Sequence, residues 1–234
     1  MAQYRVKRAV ILAAGLGERM APITTFVPKP LVRVNGKRII DTILDALLQA
    51  DIREIYVVCG YLAEKFAELQ QDYPMIRLIK NSAYREANNI FSVICVGNLV
   101  ENAYIIEGDL FLNNMGLITT YQMETNYLAI PVKKTKDWCF FLGKDGYIQR
   151  LGVGGENCEQ MVGISYWTAE DGRRLASRAK AVYHTAGGAE KYWDQIALEA
   201  YISEFHIRVR ECSAQDVVEI DTFEELKALD PSYR

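Results

Sequence analysis

Apolar residues in the first half of the chain fall into short blocks that alternate between two periods. Ala9 to Leu12 is a compact, partly β-branched run, as a strand buried on both faces requires. Ile39 to Leu48 spaces its apolar residues at helical intervals, Ile55 to Cys59 reads as a buried strand, Ala63 to Gln71 as a helix, and Ile76 to Ile79 as a further strand. Ile90 to Leu99 is helical again, and Ala103 to Ile106 forms a strand that runs into Glu107, Gly108 and Asp109. Strand and helix in alternation predict a Rossmann-like, doubly wound α/β sheet. Past about residue 125 the pattern changes. Tyr127 to Val132, Phe140 to Leu142, Ile148 to Leu151 and Met161 to Tyr166 read as strands separated by turns such as Lys144-Asp145-Gly146, so the sheet should be mixed. Helices follow at Ala169 to Tyr183 and Tyr192 to Tyr201. A last strand pair, Ile207 to Arg210 and Val217 to Ile220, leads to a helix capped by Thr222, with Glu225 three residues on as a capping box. The expectation is one domain over residues 1–234, with a nucleotide-binding half near 1–125 and an acceptor-binding half near 126–234. There is no internal repeat or low-complexity tract.

The chemistry concentrates where the first strand ends. Leu12 to Leu31 reads LAAGLGERMAPITTFVPKPL, in which Leu12, Ala13, Ala14, Gly15 and Gly17 strip side-chain bulk from a strand-to-loop turn. Such a bare backbone can approach phosphates and a base closely. Arg19 adds a rigid fork of donors for phosphate oxygens and Lys29 a compact mobile charge, while Pro22, Pro28 and Pro30 stiffen the connection. The shorter phosphate motifs do not fit: Met20 stands where a dinucleotide fingerprint needs its third glycine, and no Gly-Lys-Ser/Thr ending marks a P-loop. Open α/β sheets hold ligands outside the carboxyl ends of their strands, where the glycine loop, Gly60 with Tyr61, Asn81 and Asp109 all fall.

Asp109 and Asp221 each follow a strand and offer hard oxygen ligands, which suits magnesium bridging reacting phosphates. The competing reading is that each caps the segment after it, most seriously at Asp221. Trp138 and the run Tyr192-Trp193-Asp194 lie in the second half. They set aromatic faces beside an anion, the combination that attracts a quaternary ammonium, although aromatics near helix starts also pack into cores.

Length and composition narrow the class. A chain of 234 residues, 50% of them hydrophobic, is long enough to bury a sizeable core. Its net charge of −3, from 30 acidic and 27 basic residues without long one-sign blocks, lacks the footprint of a nucleic-acid binder. Cys59, Cys95, Cys139, Cys158 and Cys212 are odd in number and form no CxxC pair, so they read as reduced thiols. No stretch is long and apolar enough to span a bilayer, and the N-terminal apolar run dissolves into glycines and charges, which places the protein in the cytoplasm without a membrane partner.

The glycine loop with Arg19 and Lys29 resembles the signature of the sugar-phosphate nucleotidyltransferase superfamily. That superfamily attacks a nucleoside triphosphate with a phosphate monoester and releases pyrophosphate. Taken with VVCGYLAEKF, NSAYREANNIFSV, EGDLF, DWCFFLG, GISYWTAEDGRRL, EKYWDQI and VVEIDTFEEL, it resembles over nearly the whole chain the bacterial CTP:phosphocholine cytidylyltransferases, with 2-aminoethylphosphonate cytidylyltransferases as near relatives. The resemblance implies the nucleotidyltransferase fold, CTP as donor and a small cationic phosphate or phosphonate as acceptor, phosphocholine first. It implies magnesium on Asp109 and Asp221, the leaving phosphates on Arg19 and the α-phosphate at Lys29. It also implies the base between the glycine loop, Gly60-Tyr61 and the stretch from Tyr84 to Asn89, and the ammonium among Trp138, Tyr192 and Asp194. A homodimer is compatible with all of this.

Overall fold

The computed structural model describes residues 3–233. β1 (Arg8–Ala13) lies inside a seven-stranded sheet, and the alternation of its side chains splits the core in two. Ala9, Ile11 and Ala13 join Ile40, Ile43, Leu44 and Leu47 of α1 (Ile39–Gln49) on one face. Val10 and Leu12 join Ile90 and Val93 of the later helix over Ile90–Val96 on the other. The remaining sheet strands are β2 (Glu54–Cys59), β3 (Ile76–Lys80), β4 (Ala103–Glu107), β5 (Asn126–Leu142), β6 (Ile148–Trp167) and β7 (Arg208–Glu211). Their order is β7-β5-β6-β4-β1-β2-β3. β1 pairs in parallel with β2 and β4, and β2 in parallel with β3, whereas β6 runs antiparallel to both of its neighbours.

The winding reverses at β1. The chain steps outward through β2 and β3, then returns to the far side of β1 as β4. A crevice therefore opens between the carboxyl ends of β1 and β4, the place where doubly wound sheets bind ligands. The other helices are α2 (Leu69–Asp72), α3 (Ile90–Val96), α4 (Ala169–Tyr183) and α5 (Phe223–Leu229). α5 begins with the expected capping box: Thr222 accepts from the Glu225 backbone, and the Glu225 carboxylate accepts from the Thr222 N–H.

Four details differ from the pattern-based expectation. The four short strands over 127–166 are two long ones, β5 of 17 residues and β6 of 20. Between the apolar blocks they continue as a two-stranded ribbon in which Lys134 faces Glu156 and Thr135 faces Gly155. With no core under either face of this stretch, polar residues occupy both, and the period-two signal vanishes. The strands at 208–211 and 217–219 do not pair with each other: β7 adds to β5 in parallel, and Val217–Glu219 pairs antiparallel with Leu110–Leu112. The segment at 63–71 is mostly a tighter 3₁₀ turn, Ala63–Glu68, leading into α2, and α3 ends early in a 3₁₀ turn, Gly97–Val100. Finally, Ile196–Ala200 winds as a π-helical turn. All five cysteines are free, and among the described residues no helix is long and apolar enough to cross a membrane.

Candidate active site

A cleft of about 830 Å³ opens at the carboxyl ends of β1 and β4. Its floor is the glycine loop: Leu12, Ala13, Ala14, Gly15, Gly17 and Arg19 all line it. Gly17 adopts φ +65°, a left-handed conformation that costs other residues strain, and its carbonyl accepts from the Thr24 hydroxyl at 2.9 Å. The loop thus turns back on itself and brings the Lys29–Leu31 turn against it. Tyr84 and Asn89 form another wall. Asn81 sets this wall by accepting from the Ala83 N–H at 2.9 Å and donating to the Ser92 hydroxyl at 3.0 Å.

Gly60 and Tyr61 fall outside the cleft lining. A Cβ on Gly60 would lie 2.7 Å from Tyr84 Cβ, so Gly60 serves to let Tyr84 sit close behind the loop. The Tyr61 backbone N–H donates to the Ala14 carbonyl at 3.2 Å and steadies the loop from behind.

The charged centre lies deeper. Lys29 Nζ donates to Asp109 Oδ2 at 2.6 Å and to Asp221 Oδ1 at 2.7 Å, and Arg19 Nη2 lies 2.9 Å from Asp221 Oδ1. Burial works against the Lys29 charge, but its bonds to Asp109 and Asp221 outweigh that and hold its pKa above the ordinary value. Glu219 completes an acidic group with Asp109 and Asp221, with carboxylate oxygens within 4.8 Å of one another. Desolvation first, and then the charges of Asp109 and Asp221, push Glu219 up to about 8. The buried Asp109 Oδ1 has no hydrogen-bond partner. Three clustered carboxylates and an unpartnered buried oxygen are the donor set a hard divalent cation takes.

At the far end, Trp138 of β5 and Tyr192 meet edge to face, with ring centroids 5.7 Å apart, and Asp194 lies within the same lining. Asp194 is buried and accepts from the Tyr127 hydroxyl at 2.5 Å. Desolvation raises it to about 6, against the lowering effect of that hydrogen bond. The intervening Trp193 is 1% exposed and packs in the core, stacked on Tyr127. Every sequence-predicted site residue except Gly60 and Tyr61 therefore lines one cleft.

Several lining residues were not singled out from sequence: Glu107, Glu219, Ser92, Lys136, Asp137 and Gln160. A signal did exist for Glu219, because it stands two residues before Asp221 and the period of a strand puts both on one side.

Fold and cleft define a nucleotidyltransferase, and comparison with known proteins agrees. The family model described as "Nucleotidyl transferase" matches residues 8–108. The 2-aminoethylphosphonate cytidylyltransferase of Lancefieldella rimae is 37% identical over 228 residues, covering 96% of this chain and 92% of the relative. The choline-phosphate cytidylyltransferase of Streptococcus pneumoniae is 30% identical over 223 residues, covering 95% and 96%. The solved structure of the CTP:phosphocholine cytidylyltransferase from Streptococcus pneumoniae superimposes with a TM-score of 0.90 at 30% identity, over 98% of this chain and 100% of that one. The chain belongs to the nucleotidyltransferase family, as a CTP-dependent cytidylyltransferase.

Proposed function

We propose that the acceptor is a small phosphonate or phosphate carrying a cationic amine, with 2-aminoethylphosphonate as the preferred substrate. The observation that carries this reading is the buried Asp194 carboxylate, which lines the cleft beside Trp138 and Tyr192. A desolvated carboxylate gains most from a partner that is both charged and able to donate hydrogen bonds, as a primary ammonium is. A trimethylammonium draws only on ring faces and net charge. Here the aromatic part is two rings meeting edge to face, with Tyr192 44% exposed, so it encloses such a group only in part. The higher identity to the aminoethylphosphonate enzyme supports the same choice. Phosphocholine, expected from the sequence, stands as the second reading, favoured by the Trp138–Tyr192 pair itself.

The reaction is an in-line displacement. An ionised phosphonate oxygen attacks the α-phosphorus of CTP, a new P–O bond forms, and the bond to the β-phosphate breaks with its electron pair leaving on pyrophosphate. The attacking anion needs no base, so catalysis is positioning and charge neutralisation. The glycine loop and the Tyr84 to Asn89 wall hold the nucleotide, exposed Arg19 meets the leaving phosphates, and Lys29 meets the charge that grows on the α-phosphate. Asp109, Glu219 and Asp221 would hold magnesium, which supplies further positive charge to the phosphates when bound. The test is Asp194→Asn. It should raise the acceptor KM about tenfold or more with the CTP KM nearly unchanged, because removing an ionic hydrogen-bond partner costs roughly 1.5–3 kcal/mol. An unchanged acceptor KM would place the amine elsewhere.

A further inference from the structure

The Glu107 side chain ends in the cleft two residues before Asp109, and three observations converge on it. Its Oε1 accepts from Trp193 Nε1 at 2.9 Å and from Asn89 Nδ2 at 3.4 Å. Asn89 in turn accepts the Trp193 backbone N–H on its Oδ1 at 2.9 Å, so the three residues close a ring of hydrogen bonds. Across the sheet, β6 makes room for the side chain with a glycine: a Cβ on Gly163 would stand 2.6 Å from Glu107 Cγ. The ring joins three separate parts of the chain, namely the end of β4, the start of α3 and the Tyr192-Trp193-Asp194 segment.

We infer that Glu107 is the positioning residue of the acceptor site: it clamps Trp193 so that Tyr192 and Asp194, on either side of it, face the cleft. Trp193 is buried on Tyr127 and Trp167, so its ring has a fixed packing site and needs one polar partner for its N–H. Glu107 supplies that partner from the strand that also presents Asp109. Acceptor binding is thereby registered to the catalytic carboxylates through a single side chain. Without the carboxyl, the Trp193 N–H is left buried and unsatisfied, and the segment relaxes toward another partner.

This inference rests on the reading that Tyr192 and Asp194 hold the acceptor, and the test keeps the two apart. Steady-state kcat and KM for 2-aminoethylphosphonate and for CTP are measured by pyrophosphate release, with magnesium, for Glu107→Ala, Glu107→Gln, Trp193→Phe, the Glu107→Ala/Trp193→Phe pair and Tyr192→Ala. Glu107→Ala should raise the acceptor KM by about tenfold or more while moving the CTP KM less than about threefold, the size expected for an orphaned buried donor. Glu107→Gln keeps an acceptor oxygen and should recover most of that loss. Trp193→Phe removes the N–H donor together with part of the ring and should repeat the acceptor defect, and the losses should combine less than multiplicatively in the double variant, since both changes break the Glu107–Trp193 bond. An unchanged acceptor KM in Glu107→Ala, a Glu107→Gln variant as defective as Glu107→Ala, or losses that multiply in the double variant would each overturn the inference. If Tyr192→Ala leaves the acceptor KM unaltered, the placement of the acceptor fails instead.

Discussion

Lys29 is buried and touches two carboxylates at once. On the proposed mechanism its charge meets negative charge that accumulates only during attack, so Lys29→Ala should lower the single-turnover rate by about 10²-fold while raising the CTP KM far less. A higher CTP KM at an unchanged rate would leave Lys29 as a binding residue. Asp109→Asn takes one carboxylate out of the proposed magnesium site, and turnover should fall by about 10²-fold or more, with chelation by EDTA abolishing activity and added magnesium restoring it. Asp194 carries the pH prediction. Its pKa is raised to about 6, so it loses its charge as pH falls through that value, and kcat/KM for the acceptor should decline on the acid side. The Tyr127 hydrogen bond lowers the Asp194 pKa, so Tyr127→Phe should move that acid limb to higher pH with the same acceptor. A limb that stays in place would show that another group controls it.

Among the elements, α5 does more than close the chain. The Glu225 carboxylate accepts from the N–H groups of both Asp221 and Thr222 at 2.8 Å, so the helix cap also holds the backbone of Asp221. Thr222→Ala should cost about 1 kcal/mol of stability and raise the magnesium concentration needed for half-maximal rate, read by thermal melts and a metal titration. Loss of stability with no change in metal dependence would separate the cap from the site. The cap was legible because Thr222 and Glu225 have the spacing that the two reciprocal bonds require. The β5–β6 ribbon was not, because Lys133, Lys134, Lys136 and Asp137 lie on an extension with no core beneath it, where hydrophobic alternation has nothing to report. Pairing partners were equally hidden: Val217–Glu219 meets Leu110–Leu112 across more than a hundred residues of chain, a register set by tertiary packing.

At the scale of the molecule, the alternating blocks of the first half predict the doubly wound sheet, and the crevice follows from the strand order that the folded chain takes. That the glycine loop, Arg19, Lys29 and both aspartates meet in one cleft was legible because the loop and the aspartates follow strand ends and Arg19 and Lys29 lie on the segment that leaves the first strand. Glu107 was not, since acidic residues are common and only the folded chain shows that it grips Trp193, whereas the strand spacing of Glu219 and Asp221 was a signal that went unused. The choice of amine was the least legible feature, because a carboxylate with aromatic rings serves either head group. The decisive measurement is the specificity constant, with CTP and magnesium, for 2-aminoethylphosphonate, phosphoethanolamine and phosphocholine by pyrophosphate release. The account predicts that 2-aminoethylphosphonate leads phosphocholine by about tenfold or more, the discrimination expected when a buried acceptor is left without its donor. A lead of the same size for phosphocholine, or no pyrophosphate with any of the three, would contradict it.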